Sequence, residues 1–290
     1  MRFRSSILDA CLIVTLCVLG AAIHQTSRVL DAEPSGAKRE GRVGPLPDGR
    51  VVRVLSLGFE RLVADLFWLR TVYYIGDERS HAAGYPDGAR LAELVTDVDP
   101  YFTTAYVIMN AVLSTLRGDP EASIRLLEKG IRFNGHYWRL HFLQGFNYFF
   151  GRGDYAQAAH HIRMAAARGG PDYLPFLATR LYVGAGQAET AIAFVLSRLR
   201  EAETPEVRER LETRLRDLRV ARDVSQINGA MERYRAEHGV DPPDVPSLVI
   251  AGFLAEEPRD PEGNAYEIRN GRAESVLETD DLRLKRGAGI

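Results

Sequence analysis

A short unit recurs along the middle of the chain and limits what it can fold into: Gly118-Asp119-Pro120, Gly153-Asp154-Tyr155 and Gly186-Gln187-Ala188, spaced by 35 and then 33 residues. Five residues after each glycine stands a small side chain, Ser123, Ala158 or Ala191, and four further on a larger apolar one, Leu127, Ile162 or Val195. Residues four apart share one helical face, so each unit reads as a turn followed by an amphipathic helix. Apolar runs of helix length precede the glycines, over 105–116, 142–150 and 174–183. On these runs Ala111, Gly145 and Ala178 are the small residues expected where paired helices come close, with Tyr148 and Tyr182 packing three or four residues beyond. The third unit is the weakest, because Arg198 stands where the first two carry Gly130 and Ala165.

This period and register resemble the tetratricopeptide family, whose repeat is about 34 residues long. The likeness covers residues 57–199, counting a degenerate first unit. In that unit Phe59, Leu62, Val63, Leu66, Leu69, Val72 and Tyr73 form one helical stripe, expected to be the buried one. A turn-rich insertion over 76–86 and a returning helix over 87–98, closed by Asp99-Pro100, complete it. The resemblance implies an α-solenoid whose concave face grips a peptide or helix of a partner protein. Aromatic residues crowd the span 101–150 beyond what packing one face per helix requires. Tyr106, Trp138, Arg139 and Arg180 are therefore the candidate groove residues, since rigid aromatics and arginines are favoured anchors.

The N-terminus carries a different signal. Arg2 and Arg4 precede an apolar run from Ile7 to Ile23 broken only by Asp9, the order of an export signal or signal-anchor. A cleaved signal peptide and a single-pass anchor both fit; the anchor is preferred, which places the body in the periplasm of a bacterial inner membrane. The only cysteines, Cys11 and Cys17, lie inside this run and read as small apolar residues of a membrane helix. Residues 1–25 form this segment, and 26–53, rich in Pro, Gly and charge, read as a flexible spacer. The repeats follow over 54–203.

Residues 204–238 read as one long charged helix with Leu211, Leu215, Leu218, Ala221, Val224, Ile227, Met231 and Tyr234 at helical spacing. Its charges read as a solvated face laced with pairs such as Glu206 with Arg210 and Glu212 with Arg216. Gly239 is placed to end it. Beyond lie turn chemistry at Asp260-Pro261-Glu262-Gly263, a strand over 265–268, an Asn270-Gly271 hairpin and a second strand over 273–277. The order Tyr234, Gly239, Pro242, Asp260, Pro261, Gly263, Tyr266 resembles the C-terminal half of major type II pseudopilins. That likeness spans about 50 residues and implies, for 239–290, a small α+β module with a short antiparallel sheet. The pilin leader and hydrophobic N-terminal helix of that family do not precede it, so polymerisation as a pilin is not expected. Glu278, Asp280 and Asp281 occupy roughly the place where pseudopilin tails can hold calcium, but read first as solvated acids.

A net charge of −2 and no basic patch with interleaved aromatics argue against nucleic acid as a partner. No phosphate loop, dinucleotide fingerprint, nucleophile elbow or zinc-protease motif occurs. His136, His141, His160 and His161 read as packing or hydrogen-bonding residues, and Asp65 as an ion-pair partner of Arg61 or Arg70. The expected protein is mainly α and non-enzymatic, with no cofactor, no metal and no small-molecule ligand. It would act as a membrane-anchored scaffold for a protein partner in a secretion or type IV pilus-like assembly. A periplasmic holdase and a hydrolase with an unrecognised site are the rival readings.

Overall fold

The computed structural model describes residues 41–279 and Leu282. The signal-anchor reading of 1–25, most of the spacer, both cysteines, and Asp280 and Asp281 lie outside the described residues. The fold is mainly α, with one two-stranded antiparallel sheet near the C-terminus. The chain divides into two compact units between Leu126 and Leu127.

In the first unit, residues 41–48 and helix α1 (Gly49–Leu55) are packed structure, which corrects the spacer reading for that stretch. The Gly41 carbonyl accepts from Ser80 Oγ, and the Val43 amide donates to Asp87 Oδ2 at 2.9 Å. Asp48 caps α1 by accepting from the amides of Arg50 and Val51. Next come α2 (Glu60–Gly76), a short α3 (Glu78–Ala82) inside the expected insertion, and α4 (Gly88–Val98). α1 and α2 both pack on α4, around Ala64, Leu94 and Val98 with Leu46, Val52, Val63, Phe67 and Phe102. Helix α5 (Thr103–Ala111) continues into a π-turn, Val112–Leu116.

The buried face of α2 is not the expected one. Ala64, Thr71 and Tyr74 are buried with Phe67 half-buried beside them, whereas Phe59, Leu62, Leu66, Leu69, Val72 and Tyr73 are exposed. Small size and satisfied polar groups decide it. Ala64 lets α2 approach α4, Thr71 Oγ1 donates to the Phe67 carbonyl, and Tyr74 Oη accepts from the Asp87 amide at 3.0 Å.

α6 (Pro120–Asn134) spans the boundary between the units. The second unit runs through α7 (Trp138–Phe146), a second π-turn (Asn147–Arg152), α8 (Tyr155–Ala166), α9 (Leu174–Gly184), α10 (Ala188–Arg200) and α11 (Pro205–His238). Each of α7 to α10 packs on the helix that follows it, and α11 also touches α9. The recurring glycines occupy left-handed backbone, Gly118 and Gly153 at φ 69° and Gly186 at φ 71°, where other residues pay a steric cost. The next amide closes the turn: Asp119 to the Leu113 carbonyl, Asp154 to Tyr148, Gln187 to Tyr182. The first two bonds reach one residue further back than the third, because a π-turn inserts an extra residue there.

Ser123, Ala158 and Ala191 are wholly buried, with Leu127, Ile162 and Val195 beside them in register. A Cβ on Gly145 would lie 2.9 Å from Ile162 and 3.1 Å from the Ala158 carbonyl, so α7 and α8 touch through backbone. Ala178 is buried, but Ala111 is exposed. The residue in register is Asn110, whose Oδ1 accepts from Ser123 Oγ at 2.7 Å.

The C-terminal half of α11 is the spine of a separate small core. Val220, Ile227, Ala230 and Met231 pack with Val245 and Leu248 of α12 (Val245–Ile250), with Tyr266 and with Ala273. Gly239 ends α11 at φ 73°, and Pro242 is buried just beyond. Asp260 holds its turn by accepting from the amides of Glu262 and Asn264 and from Ser275 Oγ; Pro261 and Gly263 form its exposed corner. The strands are shorter than expected and shifted: β1 (Glu267–Arg269) pairs antiparallel with β2 (Arg272–Glu274) across Asn270-Gly271. Ala265 makes only an isolated bridge to Arg259. Two side-chain bonds tie this hairpin to α11, Tyr266 Oη donating to Asp223 Oδ2 at 2.9 Å and the Ala273 amide donating to Asn228 Oδ1 at 2.9 Å.

Two substitutions test these contacts. Gly145→Ala improves intrinsic helix propensity, yet the Cβ has no room, so urea unfolding should show a loss of about 1–3 kcal/mol. Tyr266→Phe leaves a buried Asp223 oxygen without its donor and should cost about 2 kcal/mol in the same measurement.

Candidate binding groove

The residues expected to line a groove do not come together. Tyr106 is wholly buried, with Oη donating to the Pro100 carbonyl, and burial pushes its pKa well above that of a free phenol. It is a core residue of the first unit, which corrects the groove assignment: a tyrosine with an internal acceptor gains more from burial than from exposure. Trp138 is half-buried at the start of α7, edge-on to Phe142, with the exposed Arg139 guanidinium 5.6 Å from its ring centroid. Arg180 is half-buried on α9. Tyr148 and Tyr182 are buried packing residues, and Tyr182 Oη accepts from Arg163 Nε at 3.3 Å. Phe146 and Phe150, tilted against each other with centroids 4.3 Å apart, are exposed, as are Tyr101 and Phe133.

A cleft of about 770 Å³ opens elsewhere in the second unit, along α11. Its floor is a stripe of small residues, Ala221, Ser225 and Gly229, each four residues from the next and so on one helical face. Tyr155, Val183 and Gly184 form one wall, Thr279 and Leu282 line it from the C-terminal segment, and Asp217 and Glu232 mark its two ends on α11. Gly184 is required here, since a Cβ would fall 2.5 Å from the Tyr155 ring that lies on its backbone. Gly229 is different, because a Cβ there would meet only the Arg233 side chain at 3.6 Å. From Asp217 to Glu232 the floor runs about 22 Å at 1.5 Å per residue, the length of about seven extended residues. The small-residue spacing was present in the sequence, hidden inside a helix read for its leucines and charges.

Charged residues of α11 near the cleft are engaged, not simply solvated. The Arg210 and Arg214 guanidinium groups sit 4.9 and 5.5 Å from the Phe176 ring centroid, which replaces the expected pairing of Arg210 with Glu206. Arg222 bonds Asp223 at 2.7 Å and lies 3.6 Å from Glu189 of α10. Hydrogen bonding to Asp223 first, and then the neighbouring acids, raise the pKa of Arg222 against the effect of burial. Asp260, by contrast, has burial working to raise its pKa, and the bonds from Asn264, Glu262 and Ser275 hold it below the usual carboxylate range. Asp65 is exposed on α2 and has no ion-pair partner among the described residues.

The histidines form a local cluster of another kind. His141 and His161 face each other across α7 and α8 with Nδ1 atoms 3.3 Å apart, and His161 stacks on Tyr148 at 5.4 Å. Burial, with Arg168 adding to it, lowers the His141 pKa to about 4; burial and the neighbouring His141 lower that of His161 to about 3. One neutral ring donates to the other, whereas two imidazolium rings would point like charges at each other. Among the described residues no three His, Cys, Asp or Glu side chains converge as a metal-binding group.

Because the folded histidine pKa values lie below the ordinary 6.5, the unfolded chain binds more protons between pH 6.5 and about 3. Stability contributed by the neutral pair is therefore full above pH 6.5 and declines as pH falls through this window. His161→Gln should flatten the fall, and urea midpoints of wild type and variant at pH 7 and 4.5 measure the difference. Comparison with protein-family models, with curated proteins and with solved structures gave no match to the chain.

Proposed function

We propose that the chain is a non-enzymatic scaffold of the bacterial cell envelope, held in the inner membrane by residues 7–23. Its helix pairs stack as an α-solenoid of the tetratricopeptide kind, and the cleft along α11 grips a segment of a protein partner. The observation that carries this reading is the cleft itself, 770 Å³ of open space over a floor of Ala221, Ser225 and Gly229. Small floor residues let a guest backbone come close, and an extended segment can lie along the run of about 22 Å, at about 1.5 Å per residue, while a basic side chain reaches the exposed Glu232. The repeat caps at Gly118, Gly153 and Gly186 support the scaffold reading, since a left-handed glycine recurs there at an interval of about 34 residues. The C-terminal module, with its own core on α11, supports a second docking element similar to a pseudopilin tail. Two linked contacts would raise avidity without new chemistry.

Affinity capture of the full chain from detergent-solubilised membranes tests this. Wild type should recover one defined component of an envelope assembly in stoichiometric amount. Ser225→Trp and Gly229→Trp, which fill the cleft from positions with room for a side chain, should reduce that recovery by about tenfold or more while leaving the thermal midpoint unchanged. Retention of the same component by both variants, or its absence from the wild-type capture, would count against the reading.

A further inference from the structure

The last described residue, Leu282, lies on the wall of the α11 cleft together with Thr279, and it is only 5 % exposed. The residues that follow it in the sequence therefore start from inside the cleft. They read Arg283-Leu284-Lys285-Arg286-Gly287-Ala288-Gly289-Ile290. Fully extended, these eight residues reach about 26 Å at about 3.3 Å each, enough to run the floor of about 22 Å.

Charge and side-chain phase point the same way. Among the described residues, two carboxylates and no lysine, arginine or histidine line the cleft, whereas 283–290 carries Arg283, Lys285 and Arg286 and no acid. Asp217 is buried with Arg216 3.8 Å away, so the exposed Glu232 is the acid that a new cation can reach. Alternate side chains of an extended segment share a face. Counted from the buried Leu282, that face carries Leu284, Ala288 and Ile290, with Arg286 as the exception, and the opposite face carries Arg283 and Lys285. The floor supplies a further observation. Glycine weakens a helix interior, yet Gly229 stands in the middle of α11, where a Cβ would meet only the Arg233 side chain at 3.6 Å. Packing among the described residues does not call for this glycine, whereas a backbone laid along the floor does.

We propose that residues 283–290 lie extended in the cleft of their own chain and fill it until a partner segment displaces them. This rests on the reading of the cleft as the partner's seat, and adds to it a resident competitor. A segment tethered at Leu282 meets the floor at an effective concentration in the millimolar range. A free segment of equal affinity is thereby kept out, and a partner enters by binding more tightly or by engaging the C-terminal module as well.

Disulfide trapping in the full chain, in a Cys11→Ser, Cys17→Ser background, reads the placement. Ser225→Cys should bond within the chain to Leu284→Cys or Ala288→Cys at least about tenfold faster than Arg219→Cys does, since Arg219 is exposed outside the cleft. A labelled, N-acetylated peptide of residues 283–290 should bind a chain ending at Leu282, and should bind the full chain at least about tenfold more weakly. Glu232→Lys in the shortened chain should weaken peptide binding about fivefold or more. Equal trapping at position 219 would overturn the proposal, as would equal peptide binding by the two chains or none by the shortened one. Bonds formed only between chains would make a second copy's segment the occupant and overturn it too. Trapping uses the full chain, so it remains decisive if shortening unfolds the C-terminal module. Neither readout needs the partner. Capture of an envelope component by a chain that fails both tests would remove the resident segment alone, whereas success in both with no component captured would remove the scaffold reading alone.

Discussion

Where Gly145 lies against Ile162 and the Tyr155 ring lies on Gly184, there is no space for even one more carbon, and the surrounding side chains are placed by that contact. Interiors are packed closely enough that such a contact fixes its neighbours. With α7 held against α8 through backbone, Ala158 and Ile162 are buried and His141 is brought onto His161. The left-handed glycines reverse the chain at the right residue, but the small side chains decide how near the returning helix comes. Turn and close approach have to agree, which is why both recur at the same interval.

That agreement explains how much of the second unit was legible. Glycine at a left-handed cap and a small residue five positions later are strict local requirements, so Gly153, Ala158, Gly186 and Ala191 could be placed from residue type alone. The turn chemistry of Asp260, Gly263 and Asn270-Gly271 is local in the same way, and it too was readable. What failed were choices between alternatives that residue type does not distinguish. Ala111 and Asn110 are neighbours, and a polar side chain took the buried place because Ser123 offers it a bond. Tyr106 looked like a surplus aromatic until the Pro100 carbonyl supplied its partner.

α2 shows the sharper limit. A helix with one apolar face announces which side is inward, whereas one with two does not. The reading that chose the larger side chains ranked burial by hydrophobic area alone. The structure instead buries Ala64, Thr71 and Tyr74, because approach distance and hydrogen bonds to Phe67 and Asp87 outweigh the area left outside. The cleft was missed for a related reason: Ala221, Ser225 and Gly229 contribute little area, and their importance lies in what they leave empty.

α11 joins these themes, since 34 residues in one helix run about 50 Å and serve two cores at once. Its first half closes the repeats, packing on α10 and α9 with Arg210 and Arg214 over Phe176. Its second half is the spine of the C-terminal module, through Ile227, Met231 and the Asp223 bond to Tyr266. The cleft lies along this second half, from Asp217 to Glu232. Its floor therefore cannot shift without disturbing the core that the same stretch of helix supports. The same continuity explains the charges: a helix with solvent on one side and packing on several others must pair its arginines with aromatic faces and buried aspartates along its length. A sequence pattern of leucines set among glutamate and arginine records the packing, and the three small residues record the opening.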